Sequence, residues 1–325
     1  MIQRRIPAIF ASLALAVTIA VSALAPVTAA TNTAGGNGLK ISPVRTDLVI
    51  LPGKSATVPV NVQNVTKSTA NLQVLINDFM ASNKENGEPA LILDSNKSAP
   101  SHGLKQFIAP ISDVTLKPNE QKTVKVTINV PKDAAGGGYF GAVRFAPAGT
   151  NSDKNVTLSA SVASLILVKV PGDIKDDLKL ASLSAQSGDT THVVFTSDKN
   201  ITAAVRFENK GNVQEEPFGK VVLKKGSKVL QTSEINDSDP RGNVLPDSTR
   251  KFEIPLKKVD GIGKYTIEGN FGYGSNGQLL SGKTTFYVIP LPLIILAAVL
   301  LAIILFLIFA LPRLIRAGSR RNGRR

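Results

Sequence analysis

The side chains that could carry out chemistry are few. His102 and His192 are the only imidazoles and cysteine is absent, which excludes a thiolate nucleophile, a thiolate zinc site, a disulfide and a lipid-modified N-terminal cysteine. Hydrolysis needs a nucleophile beside a general base, or two carboxylates facing each other in a cleft. The two histidines fall in different predicted domains, His102 on a loop and His192 opening the strand Thr191-His192-Val193-Val194-Phe195. Neither a Gly-x-Ser-x-Gly elbow nor a His-Glu-x-x-His helix occurs. The 24 acidic residues permit many carboxylate pairs, and no spacing singles one out. The oxygen-rich stretch Asn236-Asp237-Ser238-Asp239-Pro240-Arg241-Gly242 resembles a calcium loop at first sight. An EF-hand needs an acidic ligand eleven positions after Asp237, where Ser248 stands, so the stretch reads as a solvated hairpin turn. The expectation is a protein that is not an enzyme and has no cofactor and no metal site.

Binding is the chemistry that remains. Gly136-Gly137-Gly138 precedes Tyr139 and Phe140 without the Lys-Ser/Thr of a phosphate loop. In one reading the glycines permit a bulge or a close strand approach, while alternate residues from Tyr139 to Phe145 pack a core. In the other, exposed Tyr139 and Arg144 stack on and hydrogen-bond to a glycan or peptide. Ala81 to Pro110 reads as neither strand nor tight turn, and so long a loop in a compact domain is usually functional or disordered. It carries His102, and His102, Tyr139 and Arg144 form the candidate ligand-binding set.

The elements that must hold these residues are strands. Ala56–Val62, Thr123–Val130 and Ile201–Phe207 alternate apolar with polar residues, as half-buried strands do. Turn clusters such as Leu51-Pro52-Gly53-Lys54, Lys117-Pro118-Asn119-Glu120 and Asn209-Lys210-Gly211-Asn212 separate them. The fold class is therefore all-β: two tandem Ig-like antiparallel β-sandwiches, predicted over 39–171 and 172–287, followed by one transmembrane α-helix. A shift of 128 positions lays Leu116-Lys117-Pro118-Asn119 on Val244-Leu245-Pro246-Asp247, and Val124, Val126 and Ile128 on Phe252, Ile254 and Leu256. It also lays Gly141 on Gly269 and Val143 on Phe271, so one architecture is expected twice. Asp173, Asp176 and Asp177, beside Lys175 and Lys179, mark a linker of mixed charge.

The termini address the chain. Arg4 and Arg5 precede an uncharged run from Ile6 to Ala25 and small residues Val27-Thr28-Ala29-Ala30, the order of a secretory signal peptide over 1–30, with a flexible linker over 31–38. No charged residue occurs between Lys283 and Arg313, and Leu293 to Leu311 is an apolar run of 19 residues, long enough to cross roughly 28 Å as a helix. A span over 288–312 and a basic cytoplasmic tail over 313–325 follow. Six arginines in that tail place it inside and the sandwiches outside, a single-pass type I arrangement at the cell membrane. Tyr287-Val288-Ile289-Pro290-Leu291 does not match a sortase sorting pentapeptide, so the anchor reads as permanent. The chain carries 38 basic and 24 acidic residues, net +14, yet the two ends contribute eight arginines and no acid, which leaves +6 between them. That distribution is a topology signal and argues against a nucleic-acid partner.

Ile41-Ser42-Pro43, Leu51-Pro52-Gly53-Lys54-Ser55 and Val60-Asn61-Val62-Gln63-Asn64 form a recognisable series with Val114-Thr115-Leu116-Lys117-Pro118-Asn119-Glu120 and Pro131. With Gly136-Gly137-Gly138-Tyr139-Phe140-Gly141-Ala142-Val143-Arg144-Phe145, this series over roughly 39–147 resembles the N-terminal domain of the WxL-interacting proteins, cell-surface proteins of Gram-positive bacteria. The resemblance implies that the first domain contacts peptidoglycan and the second a protein or host ligand. The expected function is a membrane-anchored surface binder whose partners are a cell-wall polymer or a surface protein. The alternatives are an assembly factor that captures partner strands at a sheet edge and an accessory subunit of a membrane complex.

Overall fold

A computed structural model describes residues 38–94, 96–148, 161–310 and 313. The predicted signal segment, the predicted linker before Gly38 and the predicted tail beyond Arg313 lie outside the described residues. Among the described residues eighteen strands follow in chain order. The first nine are β1 Leu39–Ser42, β2 Arg45–Val49, β3 Ser55–Asn64, β4 Ala70–Ala81, β5 Pro89–Leu91, β6 Val114–Leu116, β7 Gln121–Asn129, β8 Gly137–Pro147 and β9 Val162–Val170. The next nine are β10 Leu178–Ser187, β11 Thr190–Thr191, β12 Val194–Phe195, β13 Thr202–Asn209, β14 Phe218–Lys225, β15 Lys228–Ile235, β16 Ser248–Pro255, β17 Gly263–Tyr273 and β18 Gln278–Val288.

The expected two sandwiches and C-terminal helix are present. In the first, the sheet β1-β3-β7 faces the sheet β2-β9-β8-β4-β5, with β6 added to β4. The second repeats this order, β11-β10-β13-β16 facing β12-β18-β17-β14-β15. The shift of 128 carries β7 onto β16 and β8 onto β17 to within two residues. Inward positions behave as alternation requires: Val58, Val60 and Val62 of β3 and Val124, Val126 and Ile128 of β7 are buried together in one core. Val205, Phe207, Ile254, Ile267 and Phe271 lie in the other.

Pairing is not purely antiparallel as expected. β2 runs parallel to β9, and β12 runs parallel to β18. The cause is a change of sheet by the opening strand. β1 pairs with β3, the chain breaks at Pro43, which has no N–H for a ladder, and β2 then joins the other sheet beside β9. In the second sandwich the same passage from β10 to β12 includes Gly188 and leaves His192 between β11 and β12, not within a strand.

A second correction concerns Ala81–Pro110. Ala81 ends β4, and β5 pairs back on it through Phe79↔Leu91 and Ala81↔Pro89, a hairpin whose tip uses the positive φ of Glu85 and Gly87. Further on, Leu104, Phe107 and Ile108 are buried in the first core. A Pro-containing three-residue strand carries too little periodicity to be read locally.

The helix Leu291–Leu305 continues in π geometry to Ala310. These 20 residues are apolar on every side and none is buried. That is the composition of a membrane-crossing helix, with Pro292 in its first turn, where no intrahelical N–H is lost.

Candidate functional site

The site is built from β4, β8 and the loop between β5 and β6. Asp78, near the end of β4, is 1% exposed. Its Oδ1 accepts from Lys105 N at 2.7 Å and its Oδ2 from Ala99 N at 3.0 Å, which draws the loop against the sandwich. A Cβ at Gly103 would stand 2.7 Å from Asp78 Oδ2, so this close approach needs glycine. β4 stops pairing with β8 at Asp78↔Gly141. Beyond that point the loop takes its place, with Phe140 N donating to His102 O at 2.8 Å and Leu104 N to Phe140 O at 3.4 Å.

His102 adopts φ 61° and its Nδ1 lies 2.7 Å from Gly138 O. A carbonyl only accepts, so Nδ1 carries the proton and Nε2 is left for a ligand. Tyr139 is half-buried, its ring 5.0 Å from that of Phe107 and its hydroxyl donating to Ala135 O at 3.0 Å. Burial pushes that hydroxyl above the usual phenol range. His102 and Tyr139 line one groove of about 410 Å³ with Asp78, Pro100 and Gln106. Arg144 is not part of it. Five residues along β8 from Tyr139, it lies on the opposite face, where its Nε donates to Asn77 Oδ1 at 3.2 Å and burial lowers its guanidinium pKa. The groove offers an imidazole nitrogen, a phenol edge and backbone groups, which suit hydrogen bonding and stacking on a sugar or peptide.

His102 also walls a larger cleft between the sandwiches, about 1030 Å³, lined by Phe79, Pro100, Phe140 and the segment Leu245–Thr249. The apolar run Leu165–Val168 of β9 is packed on both of its faces. Ile166, Val168 and Val170 enter the first core. On the other face Leu167 is buried with Phe79, Phe140 and Ala142, and Leu165, Leu91 and Leu245 pack beside them. β8 and β9 are thus buried on both faces, so residues from Tyr139 to Phe145 do not simply alternate between core and solvent.

Polar contacts then set the junction. Glu85 at the hairpin tip forms a two-point ion pair with Arg206, the Nε arm at 2.7 Å, and its carbonyl accepts from Lys251 N at 2.7 Å. Arg45 donates to Glu216 at 2.9 Å and to Arg241 O at 2.6 Å, and Asn243 bridges Arg45 and Glu216 with its amide oxygen toward the guanidinium. Asn212 ties the linker, donating to Gly136 O at 3.1 Å and Asp173 O at 2.8 Å. A Cβ at Gly136 would meet Asp173 N at 2.6 Å, and one at Gly138 would meet Gln214 Oε1 at 2.6 Å. The glycine run therefore admits the linker and the second sandwich against β8. Sequence reasoning missed Arg45, Asn212 and Asn243; the apolar run Leu165–Val170, with both faces apolar, was the available signal.

Hydrogen bonding to Arg206 holds the Glu85 carboxyl below the usual range. A lowered folded value stabilises above the ordinary pKa near 4.5 and is lost as pH falls through the folded one. Glu85→Gln is expected to cost about 1 kcal/mol at neutral pH, since the pair is partly exposed. The same substitution should flatten the acid limb of a melting-temperature profile. An unchanged acid limb would mean that the pair does not hold the junction.

On the far side of the junction Glu215 is 3% exposed, and Glu215 Oε1 and Asp176 Oδ1 are buried without a hydrogen-bond partner. Desolvation, followed by the nearby Asp176 carboxylate, pushes Glu215 up to about 8. Asn236 closes the oxygen-rich turn on itself, donating to Pro217 O and Gly242 O, both at 2.8 Å. Among the described residues no group of three His, Asp or Glu side chains could hold a metal ion.

Residues 46–147 match the profile of the family described as WxL Interacting Protein, peptidoglycan binding domain. The match covers β2 to β8, the first sandwich without its opening and closing strands. No curated protein sequence matches the chain. Among solved structures, the class 5 fimbriae chaperone CfaA is 14% identical, covering 78% of this chain and 100% of that one, with a TM-score of 0.35. The E. coli chaperone DraB is 14% identical over 77% of this chain and 96% of its own, with a TM-score of 0.33. The CsuC–CsuE chaperone–tip adhesion subunit pre-assembly complex from Acinetobacter baumannii gives 15%, 78%, 99% and 0.35 for the same quantities.

Proposed function

We propose that this chain, whose first sandwich carries the peptidoglycan-binding domain of the WxL-interacting protein family, is a non-enzymatic surface protein that holds cell-wall polymer close to a membrane. The family match over 46–147 is the observation that carries the reading. The apolar helix Leu291–Ala310 supports anchorage, and the arginines after it support an outside location for the sandwiches under the positive-inside rule. The export signal at the N-terminus belongs to the same reading. The groove shared by His102 and Tyr139 is its proposed polymer contact, with Arg144 reaching a ligand only from the other face of β8. The second sandwich, outside the family match, is left for a protein partner.

The test is sedimentation of the detergent-solubilised chain with cell-wall sacculi stripped of proteins and anionic polymers, at low and high salt. Retention on stripped sacculi at high salt is expected, because the groove recognises by shape and hydrogen bonds more than by net charge. His102→Asn keeps a residue that tolerates positive φ and should weaken retention about tenfold, on the order of one lost central contact. Loss of retention by the parent chain at high salt would reduce wall binding to a charge effect and overturn the reading.

A further inference from the structure

The end of the second sandwich nearest the helix has a composition unlike the rest of its surface. Val288, the last residue of β18, pairs with Gly263, and only Ile289 and Pro290 separate it from the helix. Two residues reach at most roughly 7 Å. Tyr287 N donates to Val193 O at 2.8 Å and Ile289 N to Phe195 O at 2.8 Å, so the exit is tied into the sheet on both sides. The headgroup layer outside the hydrocarbon is about 5–7 Å thick. With the helix in the bilayer, this end of the sandwich lies within that layer.

The residues placed there fit it. Val193, Val194 and Ile262 are exposed at 62%, 47% and 53%, and Tyr287 is 38% exposed with Lys264 Nζ 6.0 Å from its ring centroid. Lys199, Lys228, Lys257 and Lys258 are exposed on the same end, and Lys225 donates to Asp260 O. The acids at this end include Asp189, Asp198 and Asp260; Asp189 is paired with Lys251 at 3.1 Å, and Asp198 already accepts from Gly261 N. Apolar tips, an aromatic ring and surplus lysines are what a membrane interface selects.

We propose that the base of the second sandwich is a membrane-docking surface, with Val194, Ile262 and Tyr287 entering the headgroup layer and the lysines engaging anionic lipid headgroups. This rests on the reading of Leu291–Ala310 as membrane-spanning. Docking fixes the tilt of the second sandwich on the bilayer, a role separate from wall binding by the first.

The chain has no Trp, so single substitutions report position without background. Ile262→Trp, Leu300→Trp and Leu279→Trp are placed in the full chain and reconstituted in vesicles of phosphatidylcholine with phosphatidylglycerol, or of phosphatidylcholine alone, each with lipids brominated on the acyl chain. Leu300 reports the helix, and Leu279, 84% exposed and nine residues up β18 from Val288, reports the distal end of the same sheet. Ile262→Trp is expected to be quenched about twofold more than Leu279→Trp, and more in anionic vesicles than in phosphatidylcholine. Quenching of Leu300→Trp with Ile262→Trp no different from Leu279→Trp would overturn the docking proposal while leaving the span intact. Equal quenching of Ile262→Trp in both lipids would overturn the anionic contact. Failure to quench Leu300→Trp would overturn the span, and docking with it.

Discussion

Replacing Asn209 or Asn64 with alanine is expected to destabilise the protein by about 3–5 kcal/mol each, the largest effect of any single polar substitution in the chain. Both side chains are fully buried. Asn209 Nδ2 donates to Val213 O at 2.7 Å and Val244 O at 2.9 Å, while its Oδ1 accepts from Gly211 N at 2.8 Å. Asn64 Nδ2 donates to Ser68 O at 2.7 Å and Leu116 O at 3.3 Å, while its Oδ1 accepts from Thr66 N at 3.0 Å. In each sandwich the amide thus closes the turn after its own strand and grips the carbonyl of an equivalent residue, Leu116 or Val244, offset by the repeat of 128. Alanine would leave one N–H without its acceptor and take a donor from two carbonyls in a dry site, where Val244 O keeps only Glu215 N and Ser68 O only Thr66 Oγ1. Asn→Asp should cost at least as much, because it sets an oxygen against those carbonyls. Urea unfolding of the detergent-solubilised chain measures this, and a loss below about 1 kcal/mol for Asn209→Ala would mean that the staple is dispensable.

Glu215→Gln is expected to make the protein more stable than its parent at alkaline pH, by about 2–3 kcal/mol. The carboxyl is buried beside Asp176 at the junction, and its folded value is raised from 4.5 to about 8. The folded state therefore holds a proton that the unfolded state has already released. The stabilisation is complete below the unfolded value and is lost as pH rises through about 8. Parent stability should fall across that window and level off above it. Glutamine keeps the shape and a donor toward Asp176 without ionising, so its profile should be flat there. Identical slopes for the two proteins between pH 5 and 9 would show that Glu215 is ionised in the folded state, about as in the unfolded one.

Much of the fold was legible because it depends on neighbours in the chain. Period-two alternation marked β3, β7 and β13, since adjacent side chains on a strand must face opposite ways. The turn residues marked their ends, and an uncharged stretch of bilayer length marked the helix. The internal shift of 128 was readable for the same reason, because equivalent strands repeat the same inward positions. β5 was not legible, since three residues cannot establish a period, and Pro89 argues against a strand.

What the sequence by itself determined about this protein is the all-β character of its sandwiches, the inward face of each long strand, and one helix apolar on every side. Tertiary structure alone decided that the opening strand of each sandwich would change sheets and that β9 would be buried on both faces. It also decided that the hairpin tip at Glu85 would reach Arg206 and that His102 would share a groove with Tyr139 but not with Arg144. The first set follows from interactions a few residues apart, which periodicity records. The second joins groups separated by 37 to 121 residues, and which of many compatible partners meet is settled only when both cores close and the remaining apolar faces find each other.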